Sequence, residues 1–96
     1  MSIGNDVSIA QGCSIFSFNH TWEDPGLMIK DNPIELKSVT IGNDVWVGCK
    51  VTVLAGVNIP AENVIAVGTV VAKSVPPKCV VAGVPARMIK NVERGQ

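Results

Sequence analysis

Residues 41–60 read IGNDVWVGCKVTVLAGVNIP. Ile41, Val47, Val53 and Ile59 recur at every sixth position of this stretch, and Val45, Val51 and Val57 each come four residues after one of them. A period of six fits neither a helix, at about 3.6 residues per turn, nor an alternating hairpin meander. Six is the spacing of a parallel β-helix, in which each hexad makes one short strand and one turn.

The same rhythm extends in both directions. It continues through Ile65 and Val71 and occurs earlier at Ile3, Ile9 and Ile15. IGNDV is spelled twice, at 3–7 and 41–45; Ser8 follows the first copy and Trp46 the second. Alternate residues of a strand share a face. Val45 with Val47, Val51 with Val53, and Val57 with Ile59 are therefore expected to point inward. Thr40, Trp46, Thr52, Asn58, Val64 and Val70 are expected to point outward. If three hexads close one coil, residues eighteen apart stack, which sets Val64 over Trp46 and Ala66 over Gly48. Glycines just past the strands, such as Gly4, Gly42 and Gly48, are expected to permit the tight turns.

Composition narrows the function classes. Nearly half of the 96 residues are apolar, so the chain has a core to bury; with two Trp, two Phe and no Tyr, that core must be aliphatic. The formal charge is zero, with no basic stripe. Nucleic-acid and membrane-surface binding thus lack electrostatic support. No apolar run approaches the ~20 residues of a membrane span, and the start carries no signal-peptide pattern. Cys13, Cys49 and Cys79 are widely spaced, with no CxxC. They read as reduced thiols of a cytoplasmic protein, not as a disulfide frame or zinc site.

The period fails over SFNHTWEDPGLMIKDNPIELK, residues 17–37. A stretch this long inside a compact repeat is usually functional or disordered, and repeat insertions often sit on the binding face. It carries the only histidine, His20, close to where the coil anchors it. Taken alone, a loop histidine is a solvated residue. Phe18 and Trp22 could pack the loop down, and Glu23, Asp24 or Asp31 could orient the imidazole. Trp46, aimed outward above small residues, is either one wall of a groove or a covered edge or subunit contact. Pro76-Pro77 ends a strand and shifts the phase into CVVAGVPARMIK, a last coil and cap. Arg87 and Lys90 are an anion clamp or solvated charges. Cys49 reads as a structural thiol. The organisation expected is a single β-helix domain over 1–96, with coils at 2–15 and 39–84, an inserted loop at 16–38 and a cap at 85–96.

IGNDVWVG, VTVLAGVNI, VIAVGTVVAKSVPP and VVAGVPARMIK together resemble the left-handed β-helix (hexapeptide-repeat) acyltransferases, in the branch of galactoside, maltose, xenobiotic and polysaccharide O-acetyltransferases. The resemblance runs from Ser2 to about Lys90. It implies an all-β, left-handed parallel β-helix, against the usual right-handed crossover, and acetyl-CoA as acyl donor with no metal. His20 then matches the catalytic base. Trp46 flanks the donor's pantetheine arm, and the Cys49 N–H after Gly48 holds the thioester carbonyl. Ala66, Val67, Gly68, Ala72 and Lys73 line the arm, and Arg87 and Lys90 meet its phosphates. Ala66 stands where a glycine is common. The His20 loop and Arg87 are expected about three coils, roughly 14 Å, apart. The resemblance also implies a homotrimer with intersubunit sites acting on a small hydroxyl-bearing acceptor. A trimeric module that binds CoA or serves assembly without turnover is the alternative. A zinc-dependent β-helix of the carbonic-anhydrase kind ranks last, since that site draws several histidines.

Overall fold

The computed structural model of the protein describes residues 1–16, 18–20, 26, 28 and 34–92, with the backbone alone for 18–20, 34 and 35. In chain order its strands are β1 (Ser2–Ile3), β2 (Ser8–Ile9), β3 (Ser14–Ile15), β4 (Phe18–His20), β5 (Ile34–Leu36), β6 (Thr40–Ile41), β7 (Trp46–Val47), β8 (Thr52–Val53), β9 (Asn58–Ile59), β10 (Val64–Ile65), β11 (Val70–Val71), β12 (Cys79–Ala82) and β13 (Arg87–Asn91). Trp22, Glu23, Asp24 and Asp31 lie outside the described residues.

Successive strands go to different sheets, as the hexad requires. Face A stacks β1, β6 and β9; face B stacks β2, β7, β10, β12 and β13; face C stacks β3, β8 and β11. All pairs in these stacks are parallel except β12 with β13. The result is a left-handed parallel β-helix with three faces. Thr40 pairs with Asn58, and Trp46 with Val64, at the eighteen-residue spacing of three hexads. Ser2 pairs with Thr40, a spacing of 38, so the insertion adds 20 residues to a coil and leaves its register intact. Val64 pairs with Val80, only 16 away: Pro76-Pro77 shortens the last coil by two. At that short return the buried Asn63 side chain accepts a hydrogen bond from the Cys79 N–H (3.1 Å) and donates one to the Pro60 carbonyl (2.8 Å). Its burial thus leaves no polar atom without a partner.

The inward positions form the aliphatic core. Ile41, Val45, Val47, Val51, Val53, Val57, Ile59, Ile65, Val71 and Val81 are all buried. Thr40, Trp46 and Asn58 are exposed, and Thr52, Val64 and Val70 half-buried, as alternation along the strand dictates.

The turn glycines work differently from the expectation. Left-handed backbone falls three residues after Ile3, Ile9, Ile41, Val47, Val53, Ile59 and Ile65, at Asp6, Gly12, Asp44, Lys50, Gly56, Glu62 and Gly68. Gly4, Gly42 and Gly48 have ordinary φ. They are needed because the next coil passes so close. A Cβ on Gly42 would lie 2.6 Å from the Ala61 nitrogen, and one on Gly48 would lie 2.9 Å from the Val67 nitrogen. These glycines permit stacking, whereas the bend is made elsewhere, partly by non-glycine residues in the αL region.

The insertion contains an antiparallel hairpin, β4 with β5, pairing His20 with Ile34. It joins β3 on face C to β6 on face A.

Candidate functional site

The outward residues of face B fall into one column. Ser8 registers with Trp46, Trp46 with Val64, Val64 with Val80, and Val80 with Lys90. Parallel stacking therefore sets a hydroxyl, an indole, two branched alkyl groups and an ammonium group in order. Four steps between strands of about 4.8 Å give the column a length of roughly 19 Å. Trp46 is 45% exposed, so the core does not account for an indole at this position. Val64, Val80, Lys90, Asn91 and Val92 line a hollow of about 450 Å³ at the upper end. The cap strand adds a level to face B beyond β12.

An irregularity brings the two cations to one side. In a regular strand, residues three apart face opposite ways. Here Ala82 pairs with Arg87, Val81 with Met88, Val80 with Lys90 and Cys79 with Asn91, so Ile89 is the extra residue of a bulge. Val81 and Cys79 point into the core. Arg87 and Lys90, opposite Ala82 and Val80, therefore both belong to the outward side. Arg87 also lines a second hollow, of about 260 Å³, with Ala72, Lys73, Pro85 and Ala86 over the end of face C. The sequence-matched cations thus border two hollows, Lys90 one and Lys73 and Arg87 the other.

The corner between faces B and C holds the next group. Gly48, Cys49 and Lys50 turn there one coil below Ala66, Val67 and Gly68, and the Gly68 N–H donates to the Cys49 carbonyl (2.9 Å). One coil lower, the Lys50 N–H donates to the Gln11 carbonyl (3.2 Å). The Cys49 N–H itself donates to no group among the described residues, and Cys49 is half-buried. This is a fixed, partly desolvated donor beside the indole's own strand, chemically suited to an anionic or polarised oxygen. Cys13 is tied down one coil below, its thiol against the Gly48 carbonyl (3.1 Å).

His20 stands apart from this group within one chain. Its hairpin is rooted at the corner between faces C and A, across the prism from Trp46 on face B. The structure groups Trp46, Gly48, Cys49, Ala66, Val67, Gly68 and Lys90, reaches Ala72, Lys73 and Arg87 at the second hollow, and leaves His20 on the far corner. Sequence reasoning passed over Val80, which became a column member only through the shortened coil. It also passed over Ser8 and Gln11, whose signal was their place one coil below Trp46 and Cys49. Among the described residues no helix is long and apolar enough to cross a membrane.

No protein-family model matches the chain. Over 91 residues it is 38% identical to a probable acetyltransferase of Mycobacterium tuberculosis, covering 95% of this chain and 30% of that protein. Its fold superposes on a galactoside acetyltransferase in complex with coenzyme A at a TM-score of 0.86, with 35% identity over 95% of this chain and 44% of that one. A hexapeptide-repeat-containing acetyltransferase of Vibrio cholerae complexed with acetyl coenzyme A gives 0.84, with 29% identity over 96% of this chain and 49% of that one. The chain spans less than half the length of these proteins.

Proposed function

Because this chain resembles the hexapeptide-repeat acetyltransferases along nearly its whole length, we propose that it is an acetyl-CoA-dependent O-acetyltransferase working as a homotrimer. The observation that carries this reading is the graded column on face B. An acyl-CoA is an extended molecule with polyanionic phosphates at one end, a weakly polar arm and a reactive thioester at the other. Lys90, Arg87 and Lys73 offer charge for the phosphates, Val80, Val64 and Trp46 an apolar bed for the arm, and the Cys49 N–H a donor for the thioester carbonyl. Gly48 and Ala66, with Val67 and Gly68, keep the corner low enough for close approach, and Ala72 borders the phosphate end.

His20 is the general base. An alcohol attacks poorly until its proton leaves, and a neutral imidazole beside it can accept that proton. The acceptor oxygen forms the new C–O bond and the thioester C–S bond breaks. The proton passes from the acceptor to His20 and on to the departing thiolate. The Cys49 N–H offsets the charge that builds on the carbonyl oxygen. Since His20 is rooted across the prism from Trp46, the reading requires the hairpin of one copy to meet face B of the next. Closed cyclic symmetry then gives each copy the same half-sites.

The first test is calorimetric titration with CoA, followed by thiol release from acetyl-CoA with hydroxyl acceptors. Saturable binding at submillimolar concentration and acceptor-dependent release are expected. The His must be neutral to act, so the rate should fall as falling pH protonates the imidazole. The absence of binding at millimolar CoA would overturn the reading.

A further inference from the structure

The hairpin that carries His20 is bonded to one turn of the prism at both its ends, and that grip supports an inference resting on the acyl transfer just proposed. Residues 53–57 turn the chain from β8 on face C to β9 on face A. The Phe16 N–H donates to the Val53 carbonyl (2.9 Å), and the Gly56 N–H donates to the Lys37 carbonyl (3.2 Å). Pairing within the hairpin begins close by, at Phe18 with Leu36, and passes through Asn19 with Glu35 to His20 with Ile34. A small rotation at Phe16 and Lys37 therefore displaces the ribbon, His20 included.

Lys37 limits that rotation with more than its backbone. Its aliphatic stem lies across Gly56: a Cβ there would be 3.3 Å from Lys37 Cδ and 3.4 Å from its Cβ. Gly56 is left-handed, with φ 79°, and has no side chain to lift the stem away. Lys37 as a whole is exposed, so the contact is made by its methylenes. Two residues on, Val39 is fully buried and fixes the chain from the coil side. Leu36, on the hairpin side, is 81% exposed. Lys37 thus stands where side-chain contact with the prism gives way to the ribbon.

We infer that Lys37 is a positioning residue for His20. Its stem on Gly56 sets the direction in which the hairpin leaves the corner, and so where the imidazole is presented to face B of the next copy. Lys37 itself takes no part in the proton transfer.

The test uses the full chain and compares Lys37→Ala, which removes the stem, with Lys37→Met, which keeps it without the charge. Lys37→Ala should lower kcat for acceptor-dependent thiol release about tenfold, the effect of a misplaced reacting group. The KM for acetyl-CoA, the CoA affinity and the melting temperature should stay unchanged. Lys37→Met should recover most of the lost rate. His20 is the only histidine, so its imidazole gives one NMR signal. That signal should shift or broaden in Lys37→Ala and return in Lys37→Met. The inference is overturned if Lys37→Ala leaves kcat or the imidazole signal unchanged, or if Lys37→Met is as impaired as Lys37→Ala. It is also overturned if kcat, CoA affinity and melting temperature fall together, since Lys37 would then stabilise the coil and not aim the hairpin. An unmodified chain that neither binds CoA nor releases thiol would sink the acyl-transfer reading itself, and the imidazole signal would still decide whether Lys37 orders the hairpin.

Discussion

The two IGNDV segments have the same five residues and opposite surroundings. Ile41 is 1% exposed, whereas Ile3, its register partner, is 45% exposed. Val45 is buried and Val7 only half-buried. The second copy lies between coils on both sides; the first is the end member of its sheets. A hexad therefore sets the direction of a side chain, and the neighbouring coils decide how much burial that direction yields. The residue after each copy differs in the same spirit. Ser8 and Trp46 both point outward in one column, so packing inside the prism does not distinguish them.

The largest test of this contrast is a matched pair of truncations. Ile41→Ala should destabilise the protein by ~2–5 kcal/mol, because it removes a fully enclosed side chain and leaves a cavity. Ile3→Ala should cost less than about 1.5 kcal/mol, since much of the side chain already meets water. Denaturant unfolding of both variants checks this. Equal losses would mean that the first coil is covered in solution in a way that one chain does not account for.

The second test makes the copies alike. Trp46→Ser should weaken CoA binding about tenfold, roughly 1.4 kcal/mol, by removing the aromatic bed of the arm. The melting temperature should hold, because the ring contributes little to the core. A variant that loses fold stability and keeps its CoA affinity would return Trp46 to a structural role.

Much of this was legible because the hexad is a strict period. It gave the inward and outward faces of residues 40–71, and the stacking of Val64 on Trp46, by counting alone. The account blurred where the count breaks. Pro76-Pro77 removes two residues from a coil, so the place of Val80 in the column could not be read from spacing. Arg87 and Lys90, three apart, share a side only because Ile89 bulges, and a single sequence does not announce a bulge. Gly42 and Gly48 were visible as necessary, but the necessity is the approach of the next coil's backbone, and the bend falls two residues later, on Asp44 and Lys50. Position in the insertion left His20 a solvated residue, and only the family resemblance marked it as the base. Its separation from Trp46 became visible only when the coils were assigned to faces.

That separation sets the most direct test of the central claim, which is that a site forms where the hairpin of one copy meets the tryptophan column of another. His20→Ala protein, and Trp46→Ala protein weakened for CoA, are unfolded together, refolded as a mixture and assayed for thiol release at acetyl-CoA concentrations too low to saturate Trp46→Ala. Random assembly of equal amounts into closed rings should rebuild about a quarter of the sites with both residues intact, and activity should recover to that extent. A mixture no more active than its components would contradict the account, because each site would then lie within a single chain.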